Sequence, residues 1–69
     1  MKIVTEVAGK IRKLVARPGA QLAADDTIVI MESMKMEIPI VAPRAGRLAE
    51  LHVKEGDALN EGDVVAVFE

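Results

Sequence analysis

The chain has 69 residues, no cysteine, a formal charge of −2 and a single aromatic side chain, Phe68. A domain of this size buries about 60% of its unfolded surface, which leaves little room for an enclosed active site. The composition excludes disulfides and thiolate metal sites and argues against nucleic acid as a partner. No segment approaches the roughly 18 apolar residues of a membrane span, so we expect no membrane partner and a cytoplasmic location.

Two segments alternate between polar and apolar side chains, as half-buried β-strands do. They are residues 10–15 and 47–53, although Lys13 and Glu50 break the strict period of two. His52 lies in the second segment, and we interpret it as a strand residue because no cysteine or second histidine is present to share a metal site. No segment has a convincing helical period.

Two other segments are continuous apolar runs rich in β-branched side chains, which is typical of central strands. They cover residues 27–31 and 64–68. Glycine, proline and aspartate indicate turns, since glycine permits positive φ and aspartate can bond nearby backbone amides. These turn signals lie at residues 18–19, 43–46, 55–57 and 61–63.

The chain repeats itself at an interval of 37 residues. Residues 3–32 align without a gap with residues 40–69, and nine of the thirty aligned pairs are identical. Average residue usage gives only about two such matches by chance. The two copies should pack about a pseudo-twofold axis, as an all-β flattened barrel or sandwich of about eight short strands. We therefore expect a single domain over residues 1–69, in which residues 33–39 form the connecting hairpin tip.

Lys35 lies at the centre of this connector. A hairpin with Met34 and Lys35 as its central residues places the flanking residues opposite each other, Ser33 with Met36 and Glu32 with Glu37. Two-residue hairpin turns need positive φ and usually contain glycine or asparagine, so Met-Lys fits this geometry poorly. A local conflict of this kind often marks function, and the opposed carboxylates point the same way because they cost stability.

The segment Glu32-Ser33-Met34-Lys35-Met36 is followed by Ala42-Pro43-Arg44-Ala45-Gly46, Val53-Lys54-Glu55-Gly56-Asp57 and Gly62-Asp63. Together these motifs resemble the biotinyl/lipoyl carrier domain family, in particular biotin carboxyl carrier domains and the small bacterial biotin/lipoyl attachment proteins. The resemblance covers the whole chain. It implies a barrel-sandwich hybrid with internal twofold symmetry and a modified lysine at a hairpin tip, which agrees with the interpretation of the residues themselves.

The resemblance also implies a role for each residue of the tip. A biotin protein ligase would attach biotin to the ε-amino group of Lys35 as an amide, and Met34 and Met36 would mark the lysine for that ligase. The surface amine of a lysine is protonated at neutral pH, so its activation must come from the ligase. The bound biotin would carry carboxylate from a biotin carboxylase to a carboxyltransferase that acts on an acyl-CoA or a 2-oxo acid. The domain would be a carrier and not an enzyme, with no catalytic residue and no metal.

Two other functions remain open from the sequence. A lipoyl carrier for 2-oxo acid dehydrogenase or glycine cleavage chemistry has the same implied fold, but its lysine usually lies in Asp-Lys-Ala. An unmodified structural hybrid-barrel module would not need methionines around Lys35. Ser33 is a departure, because most biotinyl domains have alanine at that position.

Several side chains near the tip also have simpler interpretations. Glu32 and Glu37 are expected to be solvated flanks and not a general acid/base pair. Met36 is a candidate for partial burial, although two flexible thioethers beside a tip suit an adaptable recognition surface. Pro39 is expected to mark a strand edge or a bulge, because proline cannot donate a hydrogen bond to a sheet.

Overall fold

Eight short β-strands and no helix make up the regular structure in the computed structural model, which describes residues 1–69. In chain order the strands are β1 (Lys2–Val4), β2 (Gly9–Leu14), β3 (Gln21–Leu22), β4 (Thr27–Ser33), β5 (Met36–Val41), β6 (Gly46–Leu51), β7 (Ala58–Leu59) and β8 (Val64–Phe68). All neighbouring strands are antiparallel. None of the elements is a helix that could span a lipid bilayer.

The strands form two sheets of four, in the orders β1-β8-β6-β3 and β5-β4-β2-β7. Each strand has a counterpart four strands earlier or later in the chain. Replacing every strand of one sheet by its counterpart gives the strand order of the other sheet. Each sheet therefore combines strands from both copies. The backbone hydrogen bonds follow the same rule. Gly19 donates to the carbonyl of Leu48 at 2.7 Å, and Gly56, 37 positions later, donates to the carbonyl of Ile11 at 2.8 Å. The predicted fold class, a flattened barrel-sandwich with pseudo-twofold symmetry, is confirmed.

The two sheets enclose one apolar core. Its largest fully buried side chains include Phe68, Ile11 and Leu48. Thr5 is the one buried polar residue, and its hydroxyl donates to the carbonyl of Val7 at 2.7 Å. The twelve buried apolar residues are Ile3, Ile11, Ala16, Ile28, Val29, Met31, Ala42, Leu48, Val53, Val65, Ala66 and Phe68.

The breaks in sequence alternation coincide with irregularities in strand pairing. The register of β2 shifts between Ile11 and Lys13, and that of β6 shifts between Leu48 and Glu50. A β-bulge inserts one extra residue and increases the local twist, so the period of two fails at that point. The bulges lie 37 positions apart, which means that both sequence copies bend in the same way.

The turns use aspartate as the sequence predicts. The carboxylate of Asp57 accepts a hydrogen bond from the backbone amide of Lys54 at 2.9 Å, and that of Asp63 accepts one from the amide of Asn60 at 2.8 Å. These bonds hold the turns before β7 and β8 in shape.

Two predictions about individual residues have different outcomes. Pro39 lies in β5, which is the edge strand of its sheet, so the prediction of a strand edge is confirmed. The prediction that His52 is a strand residue is wrong by one position. Strand β6 ends at Leu51, and the amide of His52 donates to the carbonyl of Val65 at 2.8 Å just beyond that end.

Candidate functional site

The candidate site is the turn between β4 and β5. Ser33 pairs with Met36 and Glu32 pairs with Glu37, as the sequence predicts. Two residues remain at the centre of the turn, Met34 with a φ of 52° and Lys35 with a φ of 66°. Left-handed backbone at both central positions defines a type I′ turn, whose twist matches that of the flanking strands.

Both central residues of this turn have a backbone conformation that non-glycine residues rarely adopt. The left-handed region costs an ordinary L-residue roughly 1–2 kcal/mol, because its Cβ crowds the following carbonyl oxygen. The chain has only one other non-glycine residue with positive φ, Asp25. The paired strands β4 and β5 thus sustain a turn that Asn-Gly would form with less strain.

The side chains of the turn project into solvent. Met34 is 92% exposed and Met36 is 66% exposed, and Lys35 is exposed between them. None of the three salt bridges involves Lys35. The amine is therefore accessible to a partner protein. Met36, a candidate for partial burial, is exposed. It shares a face of β5 with Ile38 and Ile40 but lies at the end of the strand, beyond the buried core.

The base of the hairpin is tied to the segment that precedes β2. The hydroxyl of Ser33 donates a hydrogen bond of 2.8 Å to the backbone carbonyl of Ala8. Gly9 follows immediately, and a Cβ atom at this position would lie 2.5 Å from the carbonyl oxygen of Glu32 and 2.8 Å from Cε of Met31. Only glycine permits this approach of the two backbones.

Sequence reasoning missed both of these contacts. Gly9 aligns with Gly46 in the repeat, and that identity is the signal that was available for it. Gly46 likewise begins a strand, β6, where a Cβ atom would lie 2.7 Å from the carbonyl oxygen of Glu69. For Ser33 no signal in a single sequence indicates the partner, which is 25 residues away.

The acidic residues beside the turn lie at the surface. Glu32 lies 3.5 Å from the guanidinium group of Arg12, with the side chains 38% and 53% exposed. Glu37 is exposed on the edge strand. An exposed ion pair of this length contributes little to stability. Both glutamates are therefore solvated flanks of the tip.

Other chemically capable groups lie apart from the turn. His52 contacts Glu50 at 2.9 Å, and both side chains are exposed. No cluster of three or more potential metal ligands is present. An apolar groove of about 320 Å³ opens between β1 and β5, lined by residues that include Val4, Val7 and Ile38 but not Lys35. The tip is therefore an exposed surface outside the groove.

Comparison with known proteins identifies the family of this chain. The family model described as "Biotin-requiring enzyme" matches residues 1–68. The biotin/lipoyl attachment protein of Bacillus subtilis (strain 168) is 46% identical over 65 residues, which cover 94% of this chain and 89% of the relative. The biotinylated protein TB7.3 homolog of Mycobacterium leprae (strain TN) is 39% identical over 63 residues, which cover 91% of this chain and 89% of the relative.

A solved structure extends the likeness to a large enzyme. The crystal structure of the Kluyveromyces lactis urea carboxylase superposes with a TM-score of 0.94 and 33% sequence identity. The match covers 100% of this chain and 6% of the urea carboxylase chain, so it concerns one small domain of that enzyme. With the family match over nearly its full length and its close relatives of similar size, this chain belongs to the biotin/lipoyl attachment domain family.

Proposed function

We propose that the protein is a biotin carboxyl carrier in which biotin is attached to the side-chain amine of Lys35. Residues 1–69 act as one carrier domain, and residues 33–39 are the tip that presents the lysine. Bound biotin supplies a site that accepts carboxylate from a biotin carboxylase and yields it to a carboxyltransferase of an acyl-CoA or 2-oxo acid carboxylase. The catalytic groups belong to those partners and the domain contributes none.

The observation that carries this proposal is the conformation and exposure of the tip. Lys35 has a φ of 66° and lies in solvent without an ion-pair partner, between methionines that are 92% and 66% exposed. A structural turn has no need of strained, exposed apolar residues, since asparagine and glycine form it more easily. Recognition of the tip by a partner protein accounts for these exposed side chains.

Attachment requires a nucleophilic amine and an activated carboxyl group. A bond forms between Nζ of Lys35 and the carboxyl carbon of biotin, the activating group leaves that carbon, and the amine gives up its proton. No side chain of this protein is hydrogen-bonded to Lys35, and a protonated lysine is a poor nucleophile. A biotin protein ligase must therefore supply both the base and the activation.

The methionines favour biotin over lipoate, because the lysine of a lipoyl carrier usually lies in Asp-Lys-Ala and not between two methionines. Their thioethers are flexible and polarizable, which suits a ligase surface that packs around the tip from both sides of Lys35. The ladder pairing of Ser33 with Met36 sets where the second methionine leaves the strand. Met34 and Met36 are accordingly the recognition residues in this proposal, and Lys35 is the acceptor.

Intact-mass measurement tests the proposal. The purified protein is incubated with a bacterial biotin protein ligase, biotin and ATP, and we expect a mass increase of one biotin per chain. Lys35→Arg should show no increase, whereas the matched control Lys54→Arg, which changes another exposed lysine, should be modified as fully as the wild type. A wild-type protein that stays unmodified while a known acceptor in the same tube is biotinylated would overturn the proposal.

A lipoyl carrier is the second candidate, because the Bacillus subtilis relative is named for attachment of either cofactor. The same protein is incubated with a lipoate ligase, lipoate and ATP at matched concentrations. We expect biotin to be incorporated much faster. If only lipoate is attached to Lys35, the carrier serves 2-oxo acid dehydrogenase or glycine cleavage chemistry instead.

A further inference from the structure

The four methionines of the chain fall into two environments. Met31 is fully buried, and its thioether sulfur lies 3.3 Å from the hydroxyl oxygen of Thr5. Met34, Met36 and Met1 are 92%, 66% and 63% exposed. The two thioethers beside Lys35 are therefore open to solutes, while the one in the core is shielded by packed side chains.

We propose that Met34 and Met36 are a peroxide-sensitive modification site whose oxidation switches off cofactor attachment at Lys35. Each thioether sulfur takes one oxygen atom from a hydroperoxide. The peroxide O–O bond breaks, a sulfoxide S–O bond forms, and hydrogen peroxide leaves as water, so the sulfur is oxidised by two electrons and the peroxide is reduced by two. The modified residues are methionine sulfoxides.

The effect on recognition follows from the change in polarity. A sulfoxide turns a flexible apolar side chain into a polar, chiral one, which a surface built to pack against a thioether accommodates poorly. The fold is not expected to change, because both side chains lie largely in solvent and neither belongs to the buried core. This inference rests on the proposed function, in which a ligase reads both methionines.

The switch is reversible and acts only before attachment. Methionine sulfoxide reductases return both sulfoxide epimers to the thioether, which restores the apolar surface. A chain that already carries its cofactor no longer depends on the ligase. Peroxide would thus block loading of newly made carrier and would not reverse an attachment that is already complete.

The test treats the 69-residue protein, without attached cofactor, with hydrogen peroxide and removes the peroxide with catalase before biotin, ATP and ligase are added. This order keeps the thioether of biotin itself from being oxidised. Peptide mass mapping reads the oxidation at each methionine, with Met1 as a marker of the dose and Met31 as the buried control. The initial rate of biotin attachment is then compared with that of untreated protein and of oxidised protein treated with both reductases.

We expect oxidation at Met34, Met36 and Met1, none at Met31, an attachment rate lowered about tenfold or more, and recovery after reduction. The double variant Met34→Leu/Met36→Leu will attach biotin at its own rate, but peroxide should not change that rate. This result would assign the peroxide effect to these two residues. Full attachment to chains that carry both sulfoxides would overturn the inference, as would thioethers at 34 and 36 that survive a dose oxidising Met1. If untreated protein takes up no biotin, the proposed function fails and this inference fails with it. The untreated control therefore separates failure of the proposed function from failure of the oxidation switch alone.

Discussion

The hydroxyl group of Ser33 donates a 2.8 Å hydrogen bond to the backbone carbonyl of Ala8, and this bond joins the base of the lysine hairpin to the segment that leads into β2. Such a bond contributes about 0.5–1.5 kcal/mol, and less where water can replace it. We predict that Ser33→Ala lowers the free energy of unfolding by about 0.5–1 kcal/mol, measured by urea denaturation. Biotin attachment should persist, because the backbone pairing of the hairpin does not use the hydroxyl.

Ser33→Thr is the matched control, since threonine keeps the hydroxyl and favours strand backbone. Its stability should stay within about 0.5 kcal/mol of the wild type. An alanine variant as stable as the wild type, or a threonine variant that loses as much, would show that the bond contributes nothing.

The exposed methionines should separate recognition from stability. We predict that Met34→Ala and Met36→Ala each slow biotin attachment while changing the free energy of unfolding by less than about 0.5 kcal/mol, the range of a surface substitution. Met31→Ala is the contrasting variant. Its side chain is fully buried, so truncation should cost about 2–5 kcal/mol through lost burial and the cavity left behind.

Attachment kinetics and thermal unfolding of the three variants measure the two effects. If Met34→Ala or Met36→Ala unfolds as readily as Met31→Ala, the methionine belongs to the core and not to the recognition surface.

The native Met34-Lys35 turn should be less stable than a turn with Asn-Gly at its centre. Replacing its centre by Asn-Gly, in Met34→Asn/Lys35→Gly, supplies the residues that accept positive φ at both positions. We expect the free energy of unfolding to rise by about 1 kcal/mol, because strain of roughly 1–2 kcal/mol per residue is partly relieved. Biotin attachment should be abolished with the lysine. A double variant that is less stable than the wild type would show that the native turn carries no strain.

Gly9, at the base of the hairpin, should not tolerate a larger residue. A methyl group at this position would meet the carbonyl oxygen of Glu32 at 2.5 Å, so the two backbones must separate. Gly9→Ala is expected to cost about 1–3 kcal/mol, the usual penalty of overpacking. At Gly19 the φ is +91° but a Cβ atom would have open space within 4 Å, so Gly19→Ala suffers backbone strain alone. Chemical denaturation measures the stability of both variants. Equal small losses of stability would contradict the close approach at Gly9.

The hairpin and the fold could be predicted from the sequence because their signals are local or repeated. The symmetric placement of Glu32 and Glu37 about the turn predicts its register, and the 37-residue repeat predicts two equivalent halves. The broken alternation at Lys13 and Glu50 was visible too, although only the pairing identifies a bulge at each point.

The contacts that the sequence did not reveal join residues far apart in the chain. The partner of Ser33 lies in another segment, and the close approach at Gly9 depends on how β2 lies beside β4. The exposure of Met36 follows from its position at the end of β5, beyond the core that Ile38 contacts on the same face, and a methionine beside a strand suits a core as well as a surface. His52 falls just beyond β6 because strand ends depend on the pairing partner.

Fragment mass spectrometry of ligase-treated protein tests the central claim most directly. The chain has five lysines, at positions 2, 10, 13, 35 and 54, so the position of a biotin increment identifies the acceptor. We predict one increment per chain, found only on the fragment that contains Lys35 between Met34 and Met36. An increment on any other lysine, or its persistence in Lys35→Arg, would contradict the assignment of this residue as the attachment site.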